Sequence, residues 1–327
     1  MLMRPRRNRK SPAVRAMMQE TRLHPTDFIY PLFVREGKNV QEPIKSLPGV
    51  YRLSPDLILK QIEEAVALHI PAIALFPVIE AAQKDERGSY ALRPDGILIP
   101  TIELIKREFP DVCLIADIAL DPYTSHGHDG LVKDGDVDND TTVEVLAEMS
   151  VILARAGIDM VAPSDMMDGR VLAIRKALDK NDFSHVSVHA YTAKYASAFY
   201  GPFRDALSSQ LSFGDKKSYQ MNPANAREAI REAHLDLAEG ADIIMVKPAL
   251  PYLDIIARIK QEVALPISAY QVSGEYAMLK AADRLGWLDG KRALLESLIG
   301  IKRAGADMIF TYGAIEAAAA IKDGALG

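Results

Sequence analysis

Gly240-Ala-Asp-Ile-Ile-Met-Val-Lys-Pro248 decides the fold of this 327-residue chain. A glycine closes a helical pattern, a short apolar run follows, and a lysine and a proline end it. Glycine suits the left-handed cap that finishes a helix and turns the chain back. A run apolar on both faces reads as a parallel strand covered by helices. The same punctuation recurs at Gly157-Ile-Asp159 before Met160-Val-Ala-Pro163, and at Gly305-Ala-Asp307 before Met308-Ile-Phe-Thr-Tyr312. Working outward, further β-rich runs lie at 28–34, 72–78, 112–120, 186–190 and 267–272. Helical spacing of apolar residues fills the gaps at 55–66, 141–156, 224–239, 250–262, 276–285 and 291–304. Eight strands punctuated in this way predict an α/β fold of the (β/α)8 TIM-barrel type rather than an open doubly wound sheet. No Gly-x-Gly-x-x-Gly follows the first strand, which weakens a dinucleotide-binding reading further.

Two regions exceed a minimal barrel. Residues 1–22 carry many charges and little apolar periodicity, so they read as an extended N-terminal arm, with 23–327 forming a single barrel domain. The segment of about 191–222 is long and rich in aromatic, Ser, Gly and Lys residues, and it reads as a lid. Loops that follow the strands carry the active site of a barrel. Composition narrows the class. With 49% hydrophobic and 25% charged residues the chain is an ordinary globular protein. A net charge of −5 argues against a nucleic-acid partner. The single cysteine, Cys113, excludes a cysteine zinc cluster within one chain. No uninterrupted apolar stretch reaches about 18 residues, so no membrane span is expected. The basic start Met1-Leu-Met-Arg-Pro-Arg-Arg-Asn-Arg-Lys10 lacks an apolar signal core. Its charge also fits a mitochondrial presequence, but a cytoplasmic protein is the simpler reading.

Chemistry is expected at the strand ends. Lys247 closes an apolar strand and would point into the barrel mouth, where desolvation lowers a lysine pKa and frees the amine to attack a carbonyl. The alternative is a lysine whose stem covers apolar surface while its head reaches water. Lys194 lies just past strand five, and two cations in one mouth would each disfavour protonation of the other. Asp117, Asp121, His126, His128 and Asp129 gather within thirteen residues after strand three. They read as a hard-cation site or an acid/base cluster, or else as a solvated loop of Asx turns. Arg204, Lys216, Lys217 and Gln220, with Tyr200 and Phe203, give the lid a cationic and aromatic character suited to a small anionic substrate. A Lys216-Lys217 pair also serves simply to keep an exposed loop soluble. Ser273 and Tyr312 stand at or beside strand ends, where a hydroxyl can hold a carboxylate, although both residue types are common in cores and turns.

Taken together, these motifs resemble one family, porphobilinogen synthase (5-aminolevulinate dehydratase). The resemblance is carried by Arg4-Pro-Arg-Arg7, Phe76-Pro77, Asp121-Pro-Tyr-Thr-Ser-His-Gly-His128 and Ala162-Pro-Ser-Asp-Met-Met-Asp-Gly-Arg170. It continues through Tyr200-Gly-Pro-Phe-Arg204, Ser218-Tyr-Gln-Met-Asn-Pro223, Met245-Val-Lys-Pro248 and Tyr270-Gln-Val-Ser-Gly-Glu-Tyr276. It spans nearly the whole chain in family order. The resemblance implies condensation of two 5-aminolevulinate molecules to porphobilinogen, with loss of two waters, in the tetrapyrrole biosynthesis that leads to heme and chlorophyll. It implies a homo-oligomer, usually an octamer, whose arm wraps a neighbouring subunit. By matching motif, Lys247 and Lys194 are the two Schiff-base lysines and Asp121 belongs to the catalytic set. Arg204, Lys216 and Gln220 match positions that hold one substrate carboxylate, Ser273 and Tyr312 the other. Tyr200, Phe203, Asp117 and Asp129 match the surrounding pocket.

The resemblance also speaks to metals. The zinc-dependent branch places cysteines where this chain has Ala119, Asp121 and Asp129, and these cannot form a thiolate zinc site. The chain therefore resembles the aspartate-containing branch, which works with Mg²⁺ and in some members a monovalent cation. Glu232 matches an allosteric Mg²⁺ position away from the active site, and one carboxylate plus waters suits magnesium. Lys216 stands where arginine is frequent, keeping the charge without the bidentate fork. Ala249 stands where glycine is common. The competing readings are a class I Schiff-base aldolase acting on another keto acid, and a barrel kept as a non-catalytic ligand-binding scaffold. The second lysine and the cationic lid favour the two-substrate condensation over the first. The presence of both lysines argues against the second.

Overall fold

The computed structural model describes residues 1–324. Eight parallel strands close into a barrel: β1 Phe28–Arg35, β2 Ala72–Val78, β3 Cys113–Ile118, β4 Met160–Pro163, β5 Ser187–Lys194, β6 Ile243–Lys247, β7 Ile267–Gln271 and β8 Met308–Thr311. Each pairs with its sequence neighbour, and β8 returns to β1 with Phe28 opposite Ile309. All eight expected strands are present. The barrel interior is filled by Phe33, Phe76, Ile115, Tyr191, Met245, Tyr270 and Phe310, while a second, larger apolar layer lies between the strands and the surrounding helices.

The helices are α1 Pro12–Met18, α2 Pro55–Ala67, α3 Leu98–Glu108, α4 Asn139–Arg155, α5 Arg170–Lys180, α6 Gly201–Leu207, α7 Arg227–Glu239, α8 Leu253–Glu262, α9 Ser273–Arg284, α10 Gly290–Ala304 and α11 Ala314–Lys322. Five of them, α1, α3, α5, α6 and α11, were not among the segments that sequence spacing predicts, α1 lying in the arm and α6 in the lid. Helix α11 is nearly all alanine and isoleucine, so it lacks the polar face that marks an amphipathic helix.

The glycine-punctuated steps do more than end helices. Gly157, Gly240 and Gly305 all have positive φ, as a left-handed cap requires. The aspartate two residues on then bonds the preceding strand. Asp159 accepts from the Leu114 amide at 2.7 Å, Asp242 from Val188 at 2.7 Å, and Asp307 from Ile267 at 2.8 Å. Each unit thereby satisfies an amide near the start of the strand beside it and sets the register there.

Strand β5 departs from expectation in a way that matters. It runs to Lys194, so that lysine ends the strand rather than following it, and the connection to α7 begins at Tyr195. Within it the pairing slips by one residue. Ala190 faces Ile244, but Ala193 faces Val246 and Lys194 faces Lys247. The extra residue is a β-bulge, which re-aims side chains. Residues 1–22 contain no buried side chain. They form a 3-10 turn at Pro5–Arg9 and the short α1, capped by the Ser11 hydroxyl on the Val14 amide.

Candidate active site

Lys194 and Lys247 lie opposite one another at the C-terminal ends of β5 and β6, and neighbouring strands run about 4.8 Å apart. Both side chains are buried in one cavity, lined also by Asp117, Asp121, Ser164, Tyr200, Phe203, Arg204, Lys216 and Gln220. Lys216 of the lid ion-pairs with Asp129 and lies near Asp121 across this cavity, and little free space remains around the amines. The lid is therefore closed over the lysines.

The two amines have different surroundings. Lys247 Nζ lies 4.6 Å from the centre of the Tyr270 ring, 4.8 Å from Tyr191, 5.0 Å from Phe203 and 5.5 Å from Tyr200. Among the described residues no carboxylate forms an ion pair with it. Burial, and then the charge of Lys194, pull its pKa down to about 7, so these outweigh the attraction of the rings for a cation. Lys194 instead donates to Asp129 at 3.0 Å and to the Ser164 carbonyl. Burial acts on it too, but the Asp129, Asp121 and Asp117 carboxylates prevail and its pKa is raised. The expectation of two amines that each lower the other's pKa therefore holds for Lys247 only. A paired carboxylate at hydrogen-bond distance overrides a more distant like charge.

Asp129 is the node of the closed lid. It accepts from Lys216 at 2.5 Å and from Gln220 at 3.5 Å, and its backbone amide donates to the Tyr219 hydroxyl at 3.3 Å. Its carboxyl is fully buried, yet the two ammonium groups hold it well below the usual carboxylate range. Asp121 lies 3.7 Å from Lys216 and accepts from the Ser209 hydroxyl at 3.4 Å. The aspartates of the 117–129 segment thus turn toward ammonium groups. Among the described residues, no group of three or more His, Cys, Asp or Glu side chains is arranged to hold a metal ion. Asp117 is the exception to this pairing, because burial pushes its carboxyl up to about 6.

His126 and His128 secure the base of the lid. His126 Nε2 contacts the Glu86 carbonyl at 3.1 Å, and His128 contacts the Tyr219 hydroxyl at 3.1 Å and the Phe213 carbonyl at 3.3 Å. Burial lowers the pKa of both.

Ser273 and Tyr312 do not reach the walls of the cavity. The Ser273 hydroxyl accepts from the Phe203 amide at 3.0 Å, and Tyr312 shares a 3.0 Å hydrogen bond with Tyr270. Phe203, packed on Phe33 and Phe76, fills the gap between them and Lys247. A ligand that reaches Ser273 has to displace this part of the lid. Lys217 points away, paired with exposed Asp215. Glu232 sits on α7 in a separate cleft.

Two residues absent from the expected set support Lys247. Glu275, buried at the third position of α9, accepts from the Ala249, Leu250 and Val272 amides at 3.2, 2.6 and 2.8 Å. It fixes the backbone just beyond Lys247-Pro248. The sequence gives little warning of it, since the N-cap three residues earlier is Val272 and not the Ser, Thr, Asp or Asn of a capping box. Ala249 itself has φ −93, so no glycine is needed there. Tyr191 is the second, and it stands on β5 with its ring beside the Lys247 amine.

The chain matches the family model described as delta-aminolevulinic acid dehydratase over residues 2–320. It is 54% identical over 316 residues to the delta-aminolevulinic acid dehydratase of Bradyrhizobium diazoefficiens, covering 96% of this chain and 90% of that one. The enzyme of the same name from Chlamydia pneumoniae is 55% identical, with 95% and 94% covered. The chloroplastic form of Physcomitrium patens is 56% identical, with 96% and 73% covered. Among solved structures, the delta-aminolevulinic acid dehydratase of Toxoplasma gondii in complex with porphobilinogen superposes with a TM-score of 0.97 at 52% identity, covering 99% of this chain and 93% of that one. With two strand-end lysines in one barrel mouth and matches of this extent, the chain belongs to the delta-aminolevulinic acid dehydratase family.

Proposed function

We infer that this protein is a lyase that condenses two molecules of 5-aminolevulinate into porphobilinogen with loss of two waters. The observation that carries the reading is the pair of buried amines, Lys247 and Lys194, at one register position beneath a cationic lid. Lys247 acts first. With its pKa near 7, about half of its amine is neutral at neutral pH and ready to attack a ketone. The resulting iminium draws electrons from the adjacent carbon and eases its deprotonation. Lys194 holds the second substrate, after its proton has been shed within the network of Asp129, Asp121 and Asp117. Lys216, Arg204 and Gln220 receive one substrate carboxylate, and Ser273 and Tyr312 the other once Phe203 moves aside. A class I aldolase needs one such amine, so the second lysine speaks for two bound keto acids.

The donor chemistry bears on the metal. With one cysteine in the chain, half-buried on β3, and Ala119, Asp121 and Asp129 after that strand, thiolate zinc does not fit. The cleft at Glu232 offers hard oxygen donors to a hydrated Mg²⁺, which would reach them through its waters, since they do not converge as a direct ligand set. Glu232 lines it with Asp136, Asn139, Asp168 and Glu228, a set of hard oxygen donors. Burial raises the Glu232 pKa, which marks a carboxylate in need of a counter-charge. Mg²⁺ there would steady α7 as an allosteric ion and take no part in bond making.

The proposal includes a homo-octamer in the cytoplasm. Its support is the arm, whose Met1, Leu2, Met3, Met17 and Met18 side chains are exposed and would be covered by a neighbouring subunit. No helix among the described residues is long and apolar enough to cross a membrane. Incubation with 5-aminolevulinate and detection with Ehrlich's reagent tests the activity. Pyrrole colour supports the reading, and consumption of substrate without colour contradicts it.

A further inference from the structure

The bulge in β5 has a chemical consequence. Side chains alternate along a strand, so Tyr191, three residues before Lys194, belongs on the opposite face. The extra residue between Ala190 and Ala193 brings both onto the inner face. There the Tyr191 ring packs beside Tyr270 and Phe310, with the Lys247 amine 4.8 Å from its centre. Its hydroxyl faces the Asp117 carboxyl. The two groups are close enough to interact, yet neither Tyr191 Oη nor Asp117 Oδ1, both buried, makes a hydrogen bond of good geometry. Orphaned polar atoms are rare in protein interiors. Here two of them, from adjoining side chains, flank one reactive amine.

We propose that Tyr191 is a further catalytic residue, whose O–H holds the oxygen that departs when the Lys247 amine condenses with a substrate ketone. The proposal rests on the imine reading above. Attack of the neutral amine on the ketone gives a carbinolamine. Asp117, protonated, transfers its proton to the carbinolamine hydroxyl. The C–O bond breaks, water leaves, and the nitrogen lone pair forms the C=N bond. The products are a protonated imine on Lys247 and an Asp117 carboxylate beside it. Tyr191 keeps its proton throughout and donates a hydrogen bond to the departing oxygen. Burial supports both roles. It keeps the phenol protonated, its pKa raised well above the ordinary value, and it places the Asp117 pKa at about 6.

The test uses the full-length protein and 4-oxopentanoate, a ketone that lacks the amine needed to complete a pyrrole. Adduct formation at Lys247 is followed by rapid quenching into borohydride and mass mapping, in the wild type and in Tyr191→Phe. The variant is expected to form the Lys247 adduct at least tenfold more slowly. With 5-aminolevulinate it should lose kcat while KM stays within about twofold. Its Tm should equal or exceed that of the wild type, because an unsatisfied hydroxyl has been removed. Asp117→Asn should slow the same step, and the double variant should fall no further than the slower single one. An unchanged adduct rate, a rate loss accompanied by a lower Tm, or multiplicative losses in the double variant would each overturn the proposal. A wild type that forms pyrrole yet shows a normal adduct rate in Tyr191→Phe sinks the Tyr191 role alone. A wild type with no adduct at Lys247 overturns the imine reading and this proposal together.

Discussion

Lys194 and Lys247 are register partners across β5 and β6, yet their pKa values are driven in opposite directions. Lys194 is locked to Asp129 as an ammonium, while Lys247 stands among four aromatic rings without an ion-pair partner. Parallel strands place the two side chains side by side. What separates them is the reach of the 117–129 loop, which brings its carboxylate to one lysine and not to the other.

That asymmetry predicts a pH dependence. Only the neutral amine attacks a ketone, and burial together with the Lys194 charge lowers the Lys247 pKa to about 7. The rate of borohydride-trapped adduct formation at Lys247 should therefore peak near pH 6–7. It should fall on the acid side, roughly tenfold per unit, as Lys247 takes up a proton. On the alkaline side it should fall as Asp117, with a pKa of about 6, loses the proton it donates. A midpoint near 10 would show that the amine is not desolvated as described.

Asp129 ties the lid to the lysines, so its loss should be felt in both. Asp129→Asn leaves Lys194 and Lys216 buried without their shared carboxylate. Breaking a buried ion pair in this way costs about 3–5 kcal/mol. Chemical denaturation should report a loss of that order, and limited proteolysis should cut faster within residues 208–217. A variant as stable and as resistant as the wild type would show that the latch carries no weight.

Gly274 lets the Phe199 backbone of the lid pack directly on the start of α9. A Cβ there would meet the Phe199 carbonyl oxygen at 2.5 Å and the Phe199 Cα at 2.7 Å, and backbone cannot yield cheaply. Gly274→Ala should displace the Phe199–Phe203 segment from Ser273. The expected result is a fall in kcat/KM of about tenfold or more with the barrel's circular dichroism unchanged. Unaltered kinetics would mean that the lid does not close through this contact.

The Glu232 cleft gives a metal prediction. Chelation should depress activity that Mg²⁺ restores, and Glu232→Ala should keep basal activity but lose the response. Rescue by zinc alone, with none by magnesium, would contradict the assignment.

Much of this was legible in the sequence, because helix-capping glycines and apolar strands are local signals. The strand count, the closed barrel and the lysine at the end of β6 follow from Gly240 to Pro248 and its repeats. Other features depend on partners distant in the chain. The capping aspartates bond strands 40 or more residues away, and Asp129 meets Lys194 65 residues later. Nothing local distinguishes Asp129 from any other aspartate of a polar loop. Tyr191 was hidden for a sharper reason, since strict alternation puts it on the wrong face and only the bulge reverses that. Ser273 and Tyr312 show the converse, with residue types suited to a carboxylate but a closed lid standing between them and the amines.

The most direct measurement is the map of covalent adducts after borohydride reduction with 5-aminolevulinate. The account predicts modification at Lys247 at low substrate, joined by Lys194 only as substrate rises. Adducts confined to other lysines, or an equal rate at both of these from the outset, would contradict it.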